Sequence, residues 1–246
     1  MYIDFCEVIT IRGIYKDVAT LRQDLEEWEL AVLEAFGAKM TDKENPFPCI
    51  PATIGNKTNQ LRYGYIGYPR SNTTTVELVQ LMKNFTNEAI MYGPNTSLIV
   101  FYEITDNMKE DYTVEVYEQL FWRQLAGLSV CDEMDWPKNI SYNPHHPLWE
   151  FCFNGEKFSM YCATPAHKNR KSRHFETMML AITPRSVLEE FGRSESFASN
   201  IKKQVRKRME KYDSIEIHPD LNSYGSEDNF EWTKCPFHQF LNLFKQ

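Results

Sequence analysis

Asn154-Gly155 is the feature that most limits what this chain can become. The dipeptide tolerates the positive φ values of a type I′ turn and lies between two β-forming runs, Leu148 to Phe153 (LWEFCF) and Glu156 to Cys162 (EKFSMYC). The spacing predicts a β-hairpin near 148–162, so the fold must contain a sheet with an antiparallel pair.

Helices must accompany that sheet. Between Lys16 and Met40 the residues Val18, Leu21, Leu25, Trp28, Val32 and Phe36 recur at intervals of three and four, which describes one buried helical stripe. Thr73 to Thr75 offer capping hydroxyls ahead of Val76, Val79, Met82 and Phe85, and Asp111 can cap a helix through Val114, Tyr117, Phe121 and Leu125. Further helices are predicted after Pro184 and over Ser199 to Tyr212. Leu61 to Tyr68, Ser97 to Ile104 and Glu176 to Thr183 read as strands. The proline-rich stretch Asn45 to Ala52 (NPFPCIPA) predicts a fixed, extended loop. Strands and helices alternate without a strict βαβ repeat, so the expected class is α+β, with a mixed or antiparallel sheet and packed helices in one domain over 1–246.

Composition narrows the setting. Apolar residues make up 42% of the chain and aromatics 14%, ample material for a core. The opening MYIDFCEVIT has no basic segment followed by an apolar one, and no apolar run reaches membrane-spanning length. The expected location is cytoplasmic, without a membrane partner. Six cysteines lack any CxxC pair and read as reduced thiols. A net charge of -7 argues against a broad nucleic-acid footprint. Two stretches are nevertheless basic, Lys168 to Arg173 (KNRKSR) and Lys202 to Lys211 (KKQVRKRMEK), and the second reads as a solvated helix face.

Nucleotide-phosphate loops, zinc spacings and the common hydrolase signatures are absent from the sequence. Polar and aromatic density is concentrated between Trp136 and Arg173 instead. His167 follows Pro165-Ala166, with Arg170 and Arg173 three and six residues downstream. A neutral imidazole there can ligate a metal or haem iron, and the guanidinium groups can pair with carboxylates such as propionates. The plainer alternative is a hydrogen-bonded loop histidine with solvated arginines. Cys49 is a second candidate ligand if its thiolate is stabilised, and otherwise a structural thiol. His145 and His146 are adjacent and would point apart in extended chain. Glu118, Asp132 and Glu150 lie near Phe121, Trp122, Trp136 and Trp149 in sequence, a combination suited to a guanidinium cation.

The order of these segments carries a resemblance. ExxFWxxLxxL (Glu118 to Leu128), Asp132, Trp136-Pro137, HPLWEFCFNGE (His146 to Glu156), TPAHKNRKSRHF (Thr164 to Phe175), TPR (Thr183 to Arg185), Tyr224-Gly225 and Glu231-Trp232 together resemble the YqcI/YcgG family, as do FPC and LRYGYIG earlier in the chain. The resemblance covers most of the chain from Pro48 onward. It implies a haem-binding protein related to haem-dependent N-hydroxylases of guanidino groups. The expected cofactor is therefore haem b, with iron on His167, or on Cys49 or another histidine, and with Arg170, Arg173 and Trp136 around it. Glu150 and Trp149 are the expected substrate contacts, for a guanidino or amine small molecule, with a separate electron donor as a further partner. The alternatives are a haem-binding sensor or carrier without turnover, and a haem-free protein in which PAHKNRKSR binds a small anion.

Overall fold

The computed structural model describes residues 25–146, 149–192 and 194–213. The Lys16 end of the first predicted helix, the Leu148 start of the hairpin, and Tyr224, Gly225, Glu231, Trp232 and Cys235 lie outside them. In chain order the elements are α1 (Glu27–Thr41), α2 (Ile50–Lys57), β1 (Leu61–Ile66), α3 (Asn72–Tyr92), β2 (Ser97–Tyr102), α4 (Asp106–Asp111), α5 (Val114–Val130), β3 (Phe151–Phe153), β4 (Glu156–Ala163), β5 (Met179–Pro184), α6 (Arg185–Gly192) and α7 (Glu195–Tyr212).

The five strands form one sheet in the order β1-β2-β5-β4-β3. β1 and β2 are parallel, joined through α3, because a parallel pair needs a long crossover. All other pairs are antiparallel. The α+β class is borne out, and the sheet is mixed. The hairpin closes where predicted: Phe153 pairs with Glu156, and Asn154 and Gly155 carry φ values of 51° and 77°, the two positive angles of a type I′ turn.

Both faces of the sheet are covered, which is why β1 and β2 are buried along their whole length. On the first face, Leu78, Met82 and Phe85 of α3 and Tyr117, Phe121 and Leu125 of α5 pack on Leu98, Val100, Leu180, Ile182, Phe151 and Phe153. On the second face, Val32, Leu33, Phe36 and Met40 of α1 cover Tyr63, Tyr65, Ile99, Phe101 and Met179. Trp28, Val32 and Phe36 of the predicted stripe lie on this helix, but it does not run on through Leu25 as expected, because Glu26 is its N-cap.

Three local expectations are corrected. Pro51 does not exclude helix: it falls in the first turn of α2, where no amide donor is needed, and Cys49 is the N-cap. Thr113, not Asp111, caps α5 by accepting from Val116 N at 3.4 Å, and Asp111 instead ends the short helix α4. α7 begins at Glu195, ahead of the predicted Ser199.

Candidate functional site

β4 ends at Ala163, and the chain then folds into a run of tight turns that returns to its own start. Thr164 N donates to Arg173 O at 3.0 Å, Phe175 N donates to Thr164 O at 3.3 Å, and Thr164 forms an isolated bridge with His174. Within this loop, bonds from His167 N to Thr164 O, Arg170 N to His167 O and Arg173 N to Arg170 O recur every third residue. The three-residue spacing seen in the sequence is thus the spacing of successive turns.

The loop is pinned from outside as well. Asp213, just past α7, accepts from Ser172 N at 2.7 Å and Ser172 Oγ at 2.6 Å. The Tyr161 hydroxyl of β4 donates to Ser172 O. Lys39 Nζ of α1 donates to Lys171 O at 2.8 Å and His174 O at 2.7 Å. Burial depresses the Lys39 ammonium to about 8, against the opposing pull of Asp213.

His167 is 6% exposed, and its Nδ1 lies 2.8 Å from the fully buried Thr164 hydroxyl. Burial first, and then the positive charges of Arg173 and Arg170 and the neighbouring His174, together lower its pKa to about 4. The imidazole is neutral at physiological pH, with one nitrogen held by a hydroxyl. That is the state required of a histidine ligand. The Arg173 guanidinium lies over the Tyr161 ring at 5.0 Å, and its Nη1 is buried with no hydrogen-bond partner among the described residues. Arg170 is half-buried. Burial raises the Tyr161 phenol pKa although Arg173 opposes it, and the nearby Cys49 and Asp213 act in the same direction as burial. Cys49 itself is exposed and free.

Tyr161 pairs with Ala181 and Ser159 with Thr183; all four are half-buried, and Tyr161 and Ala181 pack at the edge of the α1 cluster. The structure brings His167, Arg170, Arg173, Tyr161 and Cys49 to one region at the end of β4.

The expected substrate contacts are arranged differently. Trp149 and Phe151 belong to the first-face core, and the Trp149 ring centroid is 6.0 Å from that of Trp122. Glu150 alternates to the other side, where its Oε1 accepts from Arg185 Nε at 2.8 Å and Lys157 approaches at 4.0 Å. Glu150 and Trp149 do not form one grip. Trp136 also packs on the first face, stacked on Tyr142 at 5.2 Å and donating from Nε1 to Ile140 O at 3.0 Å. Asp132 is a turn residue: its Oδ2 accepts from Asn154 N at 2.9 Å. His145 and His146 are exposed. Among the described residues no group of three or more His, Cys, Asp or Glu side chains could hold a metal ion.

Arg185, Tyr161 and Asp213 are the residues that sequence reasoning missed. Arg185 was visible only as the end of TPR, and nothing local marks the other two.

A mixed-sheet α+β protein with a buried, neutral histidine between arginines is the class this geometry defines. The chain belongs to the YqcI/YcgG family, which matches residues 36–239. It is 40% identical to YqcI of Bacillus subtilis (strain 168) over 94% of this chain and 95% of that protein, and 37% identical to YcgG of the same organism over 96% and 99%. Both relatives are named as uncharacterized. It is 24% identical, over 85% of this chain and 78% of the relative, to a Streptomyces lavendulae protein provisionally named N(omega)-hydroxy-L-arginine synthase DcsA. No solved structure matches the chain. Among the described residues no helix is long and apolar enough to cross a membrane.

Proposed function

We propose that this protein is an oxygenase that hydroxylates a nitrogen of a guanidino or amine small molecule, using haem b. The observation that carries the reading is the buried His167, neutral at physiological pH, its Nδ1 beside the Thr164 hydroxyl and its flank occupied by Arg173. The hydroxylase name of the Streptomyces relative supports the reaction class.

The residues suit the group. A neutral imidazole is an iron ligand, and the buried Nη1 of Arg173 calls for an anionic partner. His167 would hold the iron through Nε2, and Arg173 and Arg170 would hold the propionates. When bound, the haem supplies the oxidising centre. Thr164 fixes the ring plane of His167, and the bonds of Asp213, Tyr161 and Lys39 hold the loop against displacement. Arg185 engages Glu150, so the substrate cation is not placed there.

The test is incubation of haem-loaded protein with L-arginine and related guanidines and amines, supplied either with an electron donor and dioxygen or with peroxide. The expected product is one oxygen atom heavier than its substrate and is absent with His167→Ala. Haem binding without any such product would leave a sensor or carrier.

A further inference from the structure

A concavity lies beside Tyr212, at the end of α7. Between the turn after α1 and the end of α7 is a cavity of about 380 Å³. One wall carries Lys43 and Glu44, and the other carries Lys207, Arg208, Lys211 and Tyr212. On α7, Lys211 stands four residues from Lys207 and three from Arg208, so each of the adjacent pair neighbours it on the helix surface, and all three line the cavity opposite Lys43.

The rear of the cavity is fixed. Arg208 Nη1 donates to Phe47 O at 3.4 Å, and Tyr212 packs edge-on against Phe47 with ring centroids 5.8 Å apart. The front is cationic and uncommitted: Lys43, Lys207 and Lys211 are exposed and make no ion pair among the described residues. The opposing charges are Glu44 and the nearby Asp42, whose Oδ1 is already engaged by the Glu44 and Asn45 amides at 2.8 and 3.0 Å. A solvated helix face would present such cations on a convex surface. Here they converge on a hollow, in a chain whose overall charge is -7.

We infer that this hollow is a binding pocket for a small phosphate-bearing anion with two or more negative charges. Three ammonium groups can distribute over several phosphate oxygens, while the Arg208 guanidinium supplies a fixed donor at the rear. The volume lies within the range of small-molecule sites. The site does not involve His167 and stands or falls independently of the oxygenase reading.

The probe is inorganic pyrophosphate, titrated calorimetrically into the full chain at constant ionic strength. The expected result is saturable binding that Lys207→Ala/Lys211→Ala weakens by roughly tenfold or more, the scale of lost charge-assisted hydrogen bonds. Lys138→Ala, an exposed lysine outside the pocket, should leave the affinity unchanged. Circular dichroism of the double variant checks that it is folded. Absence of saturable heat in the wild type, equal weakening by Lys138→Ala, or full affinity in a folded Lys207→Ala/Lys211→Ala variant would overturn the inference.

Discussion

Thr164 Oγ1 and His167 Nδ1 are 2.8 Å apart, and both side chains are buried at the point where β4 becomes a loop. The contact fixes the ring plane of His167, as a hydrogen-bond partner does for a metal-ligating histidine. Thr164→Val keeps the volume and removes the hydroxyl. Haem affinity, read from a Soret titration, should fall roughly tenfold or more, while Thr164→Ser should stay close to wild type. Equal affinity in all three would remove Thr164 from that role.

The depressed pKa of His167 makes stability depend on pH in a definite direction. In the unfolded chain the imidazole takes its proton near 6.5, whereas in the folded protein it does so only at about 4. Between those values the unfolded state binds more protons, so this contribution is intact above 6.5 and is lost as pH falls toward 4. The full loss is about 3 kcal/mol. His174, also lowered by burial, adds in the same sense. Urea unfolding at neutral and mildly acidic pH should show a loss about 2 kcal/mol smaller in His167→Asn than in wild type. A matching loss in both would show that His167 is not held neutral.

Glu150 and Arg185 form a buried ion pair at 2.8 Å, with side-chain exposures of 2% and 6%. Glu150→Gln leaves the guanidinium without its carboxylate and should destabilise the fold by about 3 kcal/mol. Glu150→Gln combined with Arg185→Met should recover much of that loss, because no uncompensated charge then remains buried. If Glu150→Gln leaves the melting temperature unchanged and alters only turnover, Glu150 is a substrate contact after all.

Two glycines separate backbone cost from crowding. A Cβ on Gly37, within α1, would meet nothing within 4 Å, and Gly37→Ala should stabilise by about 0.5 to 1 kcal/mol. A Cβ on Gly55, in α2, would sit 2.4 Å from the Asn95 carbonyl oxygen, so the backbone itself must move. Gly55→Ala should be destabilising by roughly 1 to 3 kcal/mol. Thermal unfolding of the two variants checks both signs.

Much of this architecture could be read in advance because the signals were local. The α1 stripe and the Asn154-Gly155 turn each declare themselves within a few residues. Strand order was not readable: β2 lies between β1 and β5, and no property of SLIVFY names its partners. The α5 cap was ambiguous because Thr105, Asp111 and Thr113 all offer capping oxygens in one short stretch, and Thr113 wins by position. At the site, the His167–Arg170–Arg173 spacing was visible, whereas Tyr161, Asp213 and Arg185 reach their partners from other elements. The separation of Trp149 from Glu150 had a signal that went unused. Alternation from Phe153 through Phe151 to Trp149 already puts the aromatics on one face and Glu150 on the other.

The most direct test of the account is a haem titration followed by absorption, oxidised and then reduced under CO, on wild type beside His167→Ala and Cys49→Ala. The account predicts a saturable Soret band in wild type and Cys49→Ala, with the band shifted or lost only in His167→Ala. No saturable band in the wild type, or a band altered by Cys49→Ala and indifferent to His167→Ala, would contradict it.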